Sequence, residues 1–272
     1  MTTPPPGFTS GYADVNETKL YYEMAGTGAP VVLLHGLSLD TRMWDGQFAT
    51  LAADYRVVRY DARGHGKSVP APDAPYSNSE DLCGLLDCLA IERAHLVGLS
   101  MGGRTVIDFI VDNPDRALSL VPVDAAFGGF HPITNIRDRL GVIITTANDI
   151  SVDAALDLWM ADELFGPAVD NPVSAGPLKE IVGAYSGWHW TSGVKGLDSD
   201  KSAIQSLGSI SVPTLVIVGE LDLPDFRATA DVMAEKIPGA SKVVMPGVGH
   251  MSNMEDPAGF NTILRDFLSR IR

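Results

Sequence analysis

The chain has 272 residues, 45% of them hydrophobic and 20% charged, with 27 Gly and 18 Pro. That balance is globular and excludes disorder, collagen and coiled coil. Twenty basic against 34 acidic residues give a net charge of −14, a surface that repels phosphate backbones and anionic bilayers, so neither a nucleic-acid nor a membrane partner is expected.

The start, Met1-Thr2-Thr3-Pro4-Pro5-Pro6-Gly7, has neither the basic nor the apolar stretch of a signal peptide. No apolar run approaches the roughly 18 residues of a membrane span, and a cytoplasmic protein is expected. Tyr21–Met24 reads as an early strand and Val31–Leu34 as a buried one, followed by a helix over Met43–Ala53 and a strand over Arg56–Tyr60. A loop rich in Gly and Pro leads to a helix over Glu80–Leu89. Cys83 and Cys88 lie five apart on it, turned by roughly 140° from one another, so they do not easily bridge. Two buried, reduced thiols are expected.

The strand Ala94–Leu99 precedes a helix that opens at Met101 and stops near Asn113-Pro114, where proline disfavours continuation. The strand Leu118–Val123 follows. Between about Ala125 and Leu207 the rhythm breaks into helical patches that carry three of the four Trp: Trp159, Trp188 and Trp190. This stretch reads as an insertion over the sheet, with the core in 1–124 and 208–272. Strand Thr214–Val218, helix Phe226–Lys236, strand Lys242–Met245 and helix Pro257–Ile271 close the chain. Alternating strands and helices point to an α/β class with a mostly parallel sheet.

Gly98-Leu99-Ser100-Met101-Gly102-Gly103 carries the chemistry. The serine follows a strand and opens a helix, so a sharp turn holds it in strained geometry that only small residues two before and two after relieve. The helix N-terminus beneath it offers N–H groups to developing negative charge. A serine needs a base, and His250, in Gly247-Val248-Gly249-His250-Met251 after the last strand, is the candidate. His95 falls inside a strand and reads as structural, while His131 and His189 lie in the insertion, where solvent and pocket roles compete. The orienting carboxylate is sought among Asp222, Asp124 and Asp225. Asp222 is favoured on the turn leaving Leu215–Val218, Asp225 reads as a helix cap, and Asp124 ends a strand.

The order Ser100, Asp222, His250 is that of an α/β-hydrolase, and the chain resembles α/β-hydrolase-fold serine hydrolases over essentially its whole length. His35-Gly36-Leu37 matches the family turn that supplies an oxyanion-hole N–H, which implies Leu37, with Met101 giving the second. Asp61-Ala62-Arg63-Gly64-His65-Gly66-Lys67-Ser68 resembles a structural loop of the family, which makes Arg63 and His65 scaffold. Gly66-Lys67-Ser68 also ends like a phosphate-binding loop, but Asp61 stands where its first glycine belongs and Pro70, Pro72 and Pro75 bar the helix that should follow. No metal spacing exists, and no cofactor is expected.

The resemblance implies hydrolysis of small to medium uncharged esters through an acyl-enzyme. Alternatives on the same fold are an enol-lactone hydrolase, a perhydrolase or a carbon–carbon bond hydrolase. Against the last stands Met251, where that group usually has Trp. A ligand-binding receptor with a slow triad is the alternative of another class. Ser100 in place of Asp sets the chain apart from haloalkane dehalogenases and epoxide hydrolases. The insertion holds ten acidic residues against five basic ones, Arg137, Arg139, Lys179, Lys195 and Lys201, which argues against a dicarboxylate substrate. Trp159, Trp188 and Trp190 are candidate pocket residues, with gluing the insertion to the core as the competing role.

Overall fold

The computed structural model describes residues 5–69, 74–194, 196 and 203–271. Pro70, Pro72, Lys195 and Lys201 lie outside them. Among the described residues eight strands form one sheet: β1 (Thr9–Val15), β2 (Thr18–Ala25), β3 (Pro30–Leu34), β4 (Arg56–Tyr60), β5 (Ala94–Leu99), β6 (Ala117–Val123), β7 (Leu215–Gly219) and β8 (Ser241–Met245). Their order across it is β1-β2-β4-β3-β5-β6-β7-β8. The β1–β2 and β2–β4 pairs are antiparallel and the others parallel.

The inner parallel strands β3 to β7 are buried on both faces, which explains their largely apolar runs, whereas edge strand β8 buries only Met245. Along β3, Val31 and Leu33 enter one core cluster while Val32 and Leu34 enter the other. Helices α1 (Asp45–Leu51), α2 (Asn78–Cys88), α3 (Met101–Asp112), α10 (Pro224–Lys236), the short α11 (Ser252–Glu255) and α12 (Pro257–Leu268) accompany these strands. Between β6 and β7 the chain leaves the sheet and forms α4 (Ile136–Asp149), α5 (Val152–Met160), α6 (Gly166–Asp170), α7 (Ala175–Gly183), α8 (Trp188–Thr191) and α9 (Ala203–Ser206).

Three expectations change. The N-terminal strand β1 gives little sequence signal, because only Ala13 and Val15 of its seven residues are buried. The helix expected over Met43–Ala53 begins as a 3-10 turn over Thr41–Trp44, with Asp40 accepting from the Arg42 N–H, and is helical only over Asp45–Leu51. On α2 the buried face runs through Asp81, Leu82, Leu85 and Leu86. Cys88 is therefore exposed and Cys83 half-buried, neither a core thiol.

Candidate active site

Ser100 sits between β5 and α3 at φ 55°, ψ −111°, a region that costs a non-glycine residue energy and persists only where the surroundings hold it. The holding is visible. Ser100 N–H donates to Val123 O at 2.9 Å, tying the turn to β6. A Cβ on Gly98 would lie 2.2 Å from Gly102 O, one on Gly102 2.3 Å from Leu34 O, and one on Gly103 2.4 Å from Ala125 Cβ. Each glycine of the motif is thus demanded by close approach of its neighbours, not by loop flexibility.

His250 lies on the loop after β8, 1% exposed. Its Nδ1 is 2.9 Å from Asp222 Oδ2 and 3.1 Å from Oδ1, while Leu223 N–H donates to Asp222 Oδ1 at 2.7 Å. Nδ1 therefore carries the proton and Nε2 is the basic nitrogen, which has no hydrogen-bond partner among the described residues. Burial pushes the imidazole down to about 4, against the raising influence of Asp124 and Glu255. The imidazole is therefore neutral at neutral pH, the form in which a histidine can accept a proton. Burial moves the Asp222 carboxyl upward, opposed by the Leu223 N–H.

Ser100 and His250 both open onto a cavity of about 370 Å³ whose walls include Leu37, Met101, Phe127, Trp159 and Phe165. The Leu37 and Met101 N–H groups donate to no acceptor among the described residues; Met101 is the first residue of α3, where N–H groups are unpaired by construction. His35 fixes the preceding turn. Its Nδ1 donates to Gly36 O at 2.8 Å and its Nε2 accepts Ala62 N–H at 2.9 Å. At Ser38, φ is 61°.

Neither competing carboxylate is paired with His250 Nδ1, although Asp124 lies against Asp222. Asp124 is fully buried, accepting from Gly219 N–H at 2.7 Å and Ser252 Oγ at 2.6 Å. Asp225 does not cap α10 as its position suggested. It accepts from Ile133 N–H at 2.6 Å, Thr134 N–H at 3.2 Å and the Thr134 hydroxyl, tying the excursion to the core, and these donors hold its carboxyl below the usual range against burial.

Of the three tryptophans only Trp159 lines the cavity. Trp188 packs over Gly64 and beside Tyr76 and His189. Trp190 sits in a buried aromatic cluster with Trp159 and Tyr185. Contrary to the pocket role expected of them, neither Trp188 nor Trp190 lines the cavity, because their rings are spent on packing. His189 is a seam residue, its ring nitrogens 2.7 Å from Tyr185 Oη and 2.9 Å from Tyr76 Oη. His131 is exposed. His65 is buried between His35, His189 and Tyr185, and Arg63 forms a buried two-point pair with Asp81 at 2.8 Å; neither lines the cavity.

Sequence reading missed Glu255, a buried carboxylate five residues beyond His250, and Arg104, one helical turn beyond Ser100 on the cavity wall. The helical spacing from Ser100 would have flagged Arg104. Among the described residues no cluster of His, Cys, Asp or Glu could hold a metal, and no helix is long and apolar enough to cross a membrane.

Comparison with known proteins identifies the family. The sequence profile of the alpha/beta hydrolase family matches residues 31–263, and the chain belongs to that family. It is 30% identical to a 2-hydroxy-6-oxononadienedioate/2-hydroxy-6-oxononatrienedioate hydrolase of Paraburkholderia xenovorans, over 93% of this chain and 91% of that one. Its fold is similar to that of the enol-lactonase from Burkholderia xenovorans, with TM-score 0.81 and 29% identity over 95% of this chain and 100% of the other. It is equally similar, at TM-score 0.81 and 25% identity over 97% and 99%, to a thermophilic esterase from Thermogutta terrifontis.

Proposed function

We propose that this alpha/beta hydrolase cleaves carboxylic esters through an acyl-enzyme on Ser100. One observation carries the reading: a strained Ser100 and an Asp222-held, neutral His250 open onto the same apolar cavity. In the proposed reaction Ser100 Oγ attacks the carbonyl carbon as its proton passes to His250 Nε2. Asp222 keeps Nδ1 protonated and stabilises the imidazolium. The N–H groups of Leu37 and Met101 take the oxyanion, each worth ~2.7–4 kcal/mol of barrier by analogy with other acyl-transfer enzymes. The tetrahedral intermediate collapses, and His250 returns the proton to the leaving alcohol. Water then repeats the sequence on the acyl-enzyme and frees the acid.

Residues 125–207 act as a cap in this proposal, setting which substrate reaches Ser100. Cavity size and the Leu, Phe and Trp lining support a small to medium apolar acyl group. Metal and organic cofactors have no step to perform. The test is turnover of p-nitrophenyl esters of rising chain length by the wild-type protein. Turnover well above the uncatalysed rate supports the reading, and a stoichiometric burst without turnover would favour a ligand receptor.

A second substrate class has its own support. Arg104 and Arg137 are on the cavity wall, and the similar proteins include an enol-lactonase and a dienedioate hydrolase. Both observations favour an ester or lactone with a carboxylate at its far end, against the expectation drawn from the acidity of the insertion. A mono-p-nitrophenyl diacid ester turned over faster than its neutral counterpart of equal length selects this class.

A further inference from the structure

We propose that Glu255 is a positioning residue for His250. Its carboxylate clamps the peptide groups on both sides of the base and supplies negative charge to the imidazolium of the reaction. The inference rests on His250 being the base.

The geometry is specific. Glu255 Oε2 accepts Gly249 N–H at 2.8 Å and Oε1 accepts Met251 N–H at 3.0 Å, so one side chain spans His250 using both oxygens. Glu255 is 4% exposed, and a buried carboxylate is costly unless its lone pairs are met. Its own helix is anchored independently: Asn253 Nδ2 donates to Met43 O at 2.9 Å, and Gln47 Nε2 donates to Asn253 O at 3.1 Å. The clamp is thus held to the 3-10 turn and α1, not only to the loop it grips. The loop has little room to relax, since a Cβ on Gly249 would meet Pro167 Cγ at 2.7 Å.

His250 is faced by Asp222 from the loop after β7 and by Phe226 of α10, ring to ring at 4.2 Å. Asp124 at the end of β6 and Glu255 of α11 add their charges to it, and Asp124 grips the same loop through Ser252 Oγ. Asp222 alone suffices to hold Nδ1–H. Glu255 therefore has two other effects. It fixes the ring's pivot, which decides whether Nε2 meets the serine proton, and its charge makes protonation of the imidazole easier.

Two variants separate these effects. Glu255→Gln removes the charge and one acceptor, whereas Glu255→Asp keeps the charge but is too short to reach both N–H groups. For a p-nitrophenyl ester, both should lower kcat about ten- to a hundredfold with KM changed less than about threefold. Burial raises the Glu255 carboxyl above its ordinary value, so as pH falls it loses its charge before His250 is protonated near 4. The wild-type and Glu255→Asp proteins should show that earlier partial fall in kcat/KM, and Glu255→Gln should not. A merely structural role gives all three proteins the same profile, and that result overturns the proposal. In the wild-type protein the Gly249 and Met251 amide protons should lie downfield in NMR spectra and resist exchange. Exchange as fast as in open loops overturns the clamp even where the variants do not fold. Wild-type protein that turns over no ester defeats the parent reading, while wild-type turnover with an indistinguishable Gln variant defeats this one.

Discussion

Trp159 Nε1–H donates a 2.6 Å hydrogen bond to Ser38 Oγ. Ser38 Oγ–H in turn donates to Leu37 O at 2.5 Å, so the excursion between β6 and β7 reaches the backbone of a proposed oxyanion residue through one hydroxyl. Trp159 also lines the cavity, which makes it both wall and strut.

Trp159→Phe keeps a ring in place and removes the N–H. A hydrogen bond of about 1 kcal/mol corresponds to roughly fivefold in an equilibrium, and the loss should appear in kcat/KM for short esters with the melting temperature little changed. Trp188→Ala, outside the cavity, should instead lower the melting temperature and leave chain-length preference as in the wild type. A shifted preference in Trp188→Ala alone would return it to the pocket.

The three aspartates predict three phenotypes. Asp222→Asn should lose at least ~10³ in kcat at unchanged stability, since the imidazole then adopts the wrong tautomer; the equivalent substitution in a serine protease costs about 10⁴ in turnover. Asp225→Asn should cost about 1 kcal/mol of stability by weakening its bonds to Ile133 and Thr134, without a comparable loss of kcat. Loss of kcat in Asp124→Asn, with Asp222→Asn active, would transfer the acid role to Asp124. Steady-state kinetics beside thermal melts decide among them.

The pH profile follows from burial of the base. His250 acts only when neutral, and its pKa is lowered to about 4. Protonation of the imidazole therefore does not limit activity as pH falls through the ordinary histidine range near ~6.5, and it removes activity as pH falls through about 4. A kcat/KM limb centred near ~6.5 would mean that the imidazole is far better solvated than its surroundings indicate.

Gly102→Ala should prevent the turn from forming, because the added methyl would press on Leu34 O and His35 O, both backbone atoms. The expected result is a large drop in melting temperature with loss of ester turnover. Gly141→Ala on α4, whose Cβ would meet nothing within 4 Å, is the control and should be neutral or slightly stabilising.

Much of the candidate site was legible because its signals are local. The strand–Gly98-Leu99-Ser100-Met101-Gly102–helix pattern announces its own backbone strain, and the order of Ser100, Asp222 and His250 follows from which strands precede them. Side-chain destinations in the excursion were not legible. Trp159, Trp188 and Trp190 are chemically alike in sequence, and only packing assigns Trp159 to the cavity, Trp188 to the seam with the core and Trp190 to an aromatic cluster within the excursion. Asp225 misled for a related reason: a carboxylate at a helix start has a local use as cap, and the donors it actually meets lie 92 and 91 residues away in sequence. Glu255 was hidden because its acceptor role is toward backbone N–H groups, which leave no mark on composition or spacing. Edge strand β1 was missed because most of its side chains face solvent.

Reaction with a fluorophosphonate, followed by peptide mass spectrometry, tests the central assignment most directly. The account predicts one covalent adduct per chain, on the peptide containing Ser100, formed at a rate that falls with the Asp222→Asn and His250→Ala substitutions. The adduct should be absent from Ser100→Ala, whose ester turnover should vanish while its melting temperature is retained. An adduct on another serine, together with a fully active Ser100→Ala protein, would contradict the account.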